Sequence, residues 1–87
     1  MFCKVKMPKS VMEDGSIILY DRNTENTHVL NSTAAIVYNL CEQFTAEEIA
    51  NKLLEDVENG PDVREVIDDV NQIIKALLDE KLIITRD

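Results

Sequence analysis

The chain has 87 residues, of which 45 % are hydrophobic and 30 % are charged. A chain of this length can bury one core and only about 60 to 65 % of its unfolded surface, which leaves little room for a deep active site. The composition is that of a folded protein and excludes a disordered chain. Because glycine and proline are few and no linker or repeat is visible, we expect a single domain over residues 1–87.

The formal net charge is -8 and is unevenly distributed. The first nine residues carry Lys4, Lys6 and Lys9 and no acid, whereas ten acids between positions 42 and 69 face only Lys52 and Arg64. Such a surface is a poor match for phosphate backbones and suits a basic peptide better. A simpler explanation is that most of these acids form a solvated helix face that aids solubility.

Targeting and redox signals are absent from the sequence. No apolar run approaches the length of a membrane span, and the first seven residues lack the apolar centre of a signal peptide, so we expect a cytoplasmic location. Cys3 and Cys41 lack the paired spacing of a zinc or redox site. We expect both thiols to be reduced.

Three short β-strands are predicted in the first third of the chain. The Asp14-Gly15 pair between Val11-Met12 and the run from Ile17 to Tyr20 indicates a hairpin turn with a strand on each side. A third strand is predicted from Thr27 to Leu30, because β-branched residues follow a polar turn. Together these segments predict a three-stranded antiparallel meander.

Three helices and an extended tail are predicted after residue 30. Either Asn31 or Ser32 can cap a first helix that runs to about Gln43, and Thr45 with Glu48 forms a capping box for a second helix whose apolar spacing extends to Val57. The third helix begins either with Pro61 at its first position or with a cap at Asp62, and its apolar stripe persists for about 27 Å. Residues 82–85 are expected to form an extended tail.

The sequence offers no constellation for catalysis. Phosphate-binding, dinucleotide-binding and zinc-protease motifs are absent, and His28 is the single histidine. His28 is interpreted as a structural or surface residue, and contact with a ligand or general-base catalysis would be less common roles for it. The adjacent acid pairs on predicted helices diverge by about 100° and cannot act as a dyad. We predict no catalytic residue, no metal and no cofactor.

Four segments, in order, are similar to the PqqD-like family of recognition elements for ribosomally made peptides. They are DGSIILYD from Asp14, VLNSTAAIVYNLC from Val29, TAEEIANKL from Thr45, and the D-V-x-x-x-I-x-x-L-L-D-E-K-L-I pattern from Asp69. The resemblance covers about residues 10–84. It implies an α+β fold of the winged helix-turn-helix type, with a three-stranded antiparallel sheet packed on three helices.

The resemblance also implies a function and a site. In that family the domain holds the leader region of a precursor peptide, which adds as a strand in the cleft between the third strand and the third helix. Carried over, the peptide-binding residues are Thr27, His28, Val29, Leu30, Val66, Asp69, Val70 and Ile73. Main-chain groups of the edge strand would supply binding, and the helix would supply selectivity and an acidic rim.

The implied partners are a precursor leader peptide and a modifying enzyme, such as a radical S-adenosylmethionine enzyme or a maturation protease. No nucleic acid or membrane is expected as a partner, although a second copy of the chain could pair through the same strand.

Three rival functions remain to be weighed against peptide recognition. The first is a DNA-binding winged helix, against which the four acids between positions 62 and 69 argue. The second is an enzyme, for which the sequence supplies neither a nucleophile with its base nor a cofactor motif. The third is a purely structural subunit, which would bind a modifying enzyme without binding the leader.

Overall fold

The computed structural model describes residues 2–55, 57 and 59–85. Five strands and three helices follow one another in this part of the chain. In chain order they are β1 (Phe2–Lys4), β2 (Lys9–Val11), β3 (Ile17–Asp21), β4 (Asn26–Leu30), α1 (Ser32–Leu40), α2 (Ala46–Leu54), α3 (Val63–Asp79) and β5 (Ile83–Thr85).

The predicted meander is formed by β2, β3 and β4, which pair antiparallel in that order. Its first turn depends on Gly15, whose φ of 90° lies in a region that other residues rarely adopt. Asp14 stabilises the same turn, because its Oδ1 accepts hydrogen bonds from the amide and the hydroxyl of Ser16 at 2.9 and 2.6 Å. The turn therefore fixes the register of β2 on β3.

The three helices begin where polar side chains satisfy their free amides. Asn31 caps α1 by accepting from the Ala34 amide at 2.8 Å, and Thr45 with Glu48 forms a complete capping box on α2. Asp62 caps α3 by accepting from the Arg64 amide at 3.0 Å. All three starts agree with local capping signals in the sequence.

Two helix ends differ from the sequence prediction, and the structure decides between the two starts that the sequence allowed for the third helix. The first helix ends at Leu40 rather than at Gln43, because a turn over residues 41–43 follows it. Val57 lies beyond the end of α2 and is exposed, so its apolar spacing was coincidental. Pro61 precedes the cap of α3 instead of occupying its first position, which leaves Asp62 as the cap, as the sequence also allowed.

One core joins the sheet to the helices. The inner face of the sheet contributes Ile17, Leu19 and Leu30, and the helices bury residues against it. The remaining buried residues are Ala35, Val37, Tyr38, Cys41, Ile49, Ala50, Val66, Val70, Ile74, Leu77, Leu82 and Ile83. This α+β arrangement of a three-stranded antiparallel sheet on three helices confirms the predicted fold class.

A second, two-stranded sheet was missed by the sequence analysis. The predicted extended tail forms β5, which pairs antiparallel with β1 so that Phe2 lies opposite Thr85. The pairing is extended by the Val5 amide, which donates to the Leu82 carbonyl at 3.0 Å. The β1–β5 pair thereby ties both ends of the described chain to the C-terminal end of α3.

Candidate functional site

The strand β4 is an edge strand, paired only with β3 among the described strands. Antiparallel strands alternate between residues that exchange main-chain hydrogen bonds with their neighbour and residues that do not. Tyr20 donates its amide to Pro8 at 3.0 Å and Met12 donates to Ser16 at 2.8 Å, so even-numbered residues of β3 bond towards β2. Thr27, which lies opposite Tyr20, must therefore direct its amide and carbonyl away from β3.

The same alternation places Val29 with Thr27 on the free edge and turns the main-chain groups of His28 and Leu30 towards β3. The side chains alternate as well. Leu30 is buried in the core and His28 lies half-buried on the inner face, whereas Thr27 and Val29 are exposed on the outer face. Of the four predicted strand residues, Thr27 and Val29 thus have free main-chain groups, whereas His28 and Leu30 have side chains that face inward.

The C-terminal end of α3 lies beside β4. Nδ1 of His28 is 3.5 Å from Oε2 of Glu80, the residue that caps this end of the helix, and the pair is charged on both sides when His28 is protonated. The His28 side chain is only 14 % exposed. Its position between the sheet and the helix end fits the structural interpretation given to it from the sequence.

The four predicted residues of α3 fall into two classes. Val66 and Val70 are 9 % and 1 % exposed, so they belong to the core. Ile73 is half-buried and Asp69 is exposed. At 100° per residue, Asp69 and Ile73 lie within about 40° of Glu80 around the helix, so they share the side of α3 on which Glu80 meets His28.

We call the free edge of β4 together with the side of α3 that carries Asp69, Ile73 and Glu80 the candidate groove, and His28 and Glu80 join the two elements at the end of the helix. The groove contains no arrangement of groups for covalent or acid–base chemistry, and no set of three or more potential metal ligands occurs among the described residues. What the groove offers is a row of main-chain donors and acceptors beside side-chain contacts. Main-chain groups and side-chain contacts of this kind can bind an extended peptide.

A cleft that the sequence analysis did not foresee lies beside the turn between β3 and β4 and is lined by none of the predicted site residues. It has a volume of about 860 Å³ and lies between the segment 5–8, the turn after β3 and the start of β5. Its charged lining residues are Lys6, Asp21, Arg22 and Lys81. They are widely separated in sequence, and the only related signal in the sequence was the basic character of the first nine residues.

Within the described part of the chain, no helix is both long and apolar enough for a transmembrane span. Comparison with curated proteins gives no match in sequence. Among solved structures, TbiB1 in complex with the TbiA(beta) leader peptide is similar to this chain, with a TM-score of 0.73 and 18 % identity. The match covers 95 % of this chain and 99 % of that one, and shows a shared fold.

The family model described as coenzyme PQQ synthesis protein D (PqqD) matches residues 16–83. The match runs from the start of β3 through all three helices to β5, and so includes β4 and the flank of α3 that form the groove. It confirms the resemblance found in the sequence segments. This chain belongs to the PqqD family.

Proposed function

We propose that this chain binds the leader region of a ribosomally made precursor peptide and presents it to a modifying enzyme. The observation that carries the proposal is the free edge of β4, where the main-chain groups of Thr27 and Val29 point away from β3. A peptide strand laid along that edge would gain hydrogen bonds that do not depend on its sequence. Membership of the PqqD family and the leader complex of TbiB1 support the same function.

The flank of α3 would give this site its selectivity. Ile73 offers a half-buried apolar surface to the side chains of the added strand, and Asp69 offers a carboxylate at the rim. Val66 and Val70 would hold this flank in place from the core, while His28 and Leu30 would fix β4 on the helix end. Complementary rim charge affects partner choice and association rate more than affinity.

The role is one of tethering and not of catalysis. Holding the leader raises the local concentration of the following peptide at a partner enzyme without lowering a chemical barrier. We propose that residues 1–87 act as one recognition domain in the cytoplasm, with a radical S-adenosylmethionine enzyme or a maturation protease as the partner. A second copy of the chain could compete by pairing through β4, since it would use the same edge.

Replacing Val29 with proline tests the proposed edge. Proline removes the amide donor at a position where no bond to β3 is lost, so the fold should persist while affinity for a leader peptide falls by about tenfold. The leader would be the synthetic N-terminal segment of the precursor encoded beside this chain's gene. Affinity would be measured by fluorescence anisotropy, and amide chemical shifts would verify the fold.

Val11→Pro is a matched control on the opposite edge of the sheet. The alternation set by the Met12–Ser16 bond directs the Val11 amide away from β3, so this proline also removes an unshared donor from an edge strand. Leader affinity should remain at the wild-type value. An unchanged affinity of a folded Val29→Pro protein, or equal losses in both variants, would contradict binding along β4.

A further inference from the structure

The cleft beside the β3–β4 turn concentrates positive charge in an acidic protein. Lys6, Arg22 and Lys81 line it together with one acid, Asp21, although the whole chain has a formal charge of -8. Among the residues that the structure describes, none of these three cations has a carboxylate within ion-pair distance. The cleft therefore has positive groups that are not neutralised by a partner within the described structure.

Asp21 does not cancel this charge by direct contact, because it has another role. Its Oδ1 accepts hydrogen bonds from the amides of Asn23 and Thr24 at 2.9 and 3.4 Å and so shapes the turn that carries Arg22. The acid next to Lys81, Glu80, faces His28 at 3.5 Å. Asp21 is thus engaged by the turn, and Glu80 by β4.

Lys81 occupies a backbone conformation that favours glycine. It follows the cap of α3 with a φ of 60°, in the left-handed region where a residue with a Cβ is strained and where glycine ends many helices. The strained residue is a lysine, and its side chain lines the cleft. A role of the lysine side chain in binding would explain why lysine occupies a position at which the backbone conformation favours glycine.

The walls of the cleft and its position identify the kind of ligand. Val5, Met7, Pro8 and Ile84 give it an apolar lining beside the cations, which suits acidic and apolar side chains of a peptide better than a bare phosphate. The cleft includes the turn that leads directly into Asn26, the first residue of β4. A peptide laid along the free edge of β4 would leave it at this end.

We propose that the cleft binds acidic side chains in the segment of the leader that passes the Asn26 end of β4. This inference rests on the proposed leader-binding function and adds a second contact region to it. The peptide would then be held at two places, by strand addition along β4 and by carboxylates paired with Arg22 and Lys81. Charge pairing at the rim of a site would also speed the encounter at low salt.

The test compares the leader affinities of Lys81→Gly and Arg22→Gln with that of the wild type by fluorescence anisotropy. Lys81→Gly removes the charge and relieves the left-handed strain, so its melting temperature should equal or exceed that of the wild type. Each variant should bind the leader about three- to fivefold more weakly, and their affinities should depend less on salt. Lys75→Gln, an exposed lysine on the outer side of α3, is the control and should bind as the wild type does.

A second arm changes the peptide in place of the protein. Exchanging the acidic residues of the leader for their amides should weaken binding to the wild type and leave binding to the Arg22→Gln, Lys81→Gly double variant unchanged. If both single variants bind the leader with wild-type affinity while Val29→Pro binds it more weakly, the cleft proposal is overturned and the proposal of strand addition stands. If the wild type does not bind the leader at all, both the cleft proposal and strand addition are overturned. If inorganic phosphate displaces the peptide, the cleft is assigned to a phosphate ligand.

Discussion

Thr45 shows how strongly a single residue fixes a local structure in this protein. Its Oγ1 accepts the Glu48 amide at 3.2 Å, and Glu48 Oε1 accepts the Thr45 amide at 3.0 Å. Replacing Thr45 with alanine leaves the Glu48 amide without this partner and should lower the free energy of unfolding by about 1 kcal/mol. Urea denaturation at neutral pH measures the difference.

Thr33→Ala is the control for this helix cap. Thr33 is exposed in the first turn of α1, where Asn31 already provides the cap, so the exchange removes a comparable side chain without removing a capping bond. Its free energy of unfolding should stay within about 0.5 kcal/mol of the wild type. Equal losses in the two variants would show that the capping box does not stabilise α2 specifically.

At this scale the sequence predicts what depends on near neighbours. The caps at Asn31, Thr45 and Asp62 follow from residues within three positions of each other, and all three are present. The left-handed conformations of Glu25 and Lys81 gave no signal, because neither residue type favours them. Helical spacing placed Val66, Val70 and Ile73 on one stripe, but only the packing shows that the first two are core and that the third is half-buried beside it.

The strand β1 is held in place by contacts with residues that are distant in sequence. The strand β1 joins the turn after α1 through Glu42, whose Oε2 accepts the Lys4 amide at 3.1 Å and whose Oε1 lies 3.7 Å from the Lys4 ammonium. The same ammonium lies 5.2 Å from the centre of the Tyr38 ring. These contacts fasten the two-stranded sheet to the helical layer.

Glu42→Gln should weaken this attachment in a pH-dependent way. The hydrogen bond from the Lys4 amide, with the charge of Lys4, lowers the pKa of Glu42 below its ordinary value. A carboxylate with a lowered pKa stabilises the folded state above the unfolded-state pKa and loses that contribution as the pH falls through its folded-state value. The urea midpoints of wild type and variant should therefore differ at neutral pH, and this difference should begin to shrink as the pH falls below about 4.

Glu13→Gln is the control for this pH profile. Glu13 is exposed in the hairpin turn and forms no hydrogen bond or ion pair within the described residues, so its removal should give nearly the same urea midpoint as the wild type. If the urea midpoints of wild type and Glu42→Gln differed by the same amount down to about pH 3, the Glu42 carboxylate would not stabilise β1 through its charge.

Whether an element could be predicted depended on the length of its pattern and on the distance to its partner. The meander and the helices carry turn, cap and periodicity signals within their own segments, and all six were predicted. The strands β1 and β5 have three residues each and pair Phe2 with Thr85, across almost the whole chain. A pairing so distant leaves no local pattern, and the cleft that it helps to form was missed for the same reason.

The distribution of charge over the molecule distinguishes its surfaces. The described cations near β4 gather in the cleft, whereas α3 carries Glu65, Asp68 and Asp69 in its first half. A DNA-binding winged helix needs cations on its recognition helix to replace the counterions of the phosphates. The acidic start of α3 provides the opposite charge, while the free edge of β4 provides bonds that a peptide can use.

Duplex DNA should therefore not bind this protein under conditions in which the leader peptide does. We expect no anisotropy change of a labelled duplex of about 20 base pairs at about 50 mM salt, where even non-specific DNA-binding proteins associate through phosphate contacts. The leader peptide, titrated in the same buffer, should bind and shift the amide signals of Thr27, Val29 and Ile73. Saturable duplex binding that weakened steeply with salt, together with no response to the leader, would reverse the assignment, because phosphate contacts would then outweigh the repulsion from the acidic half of the chain.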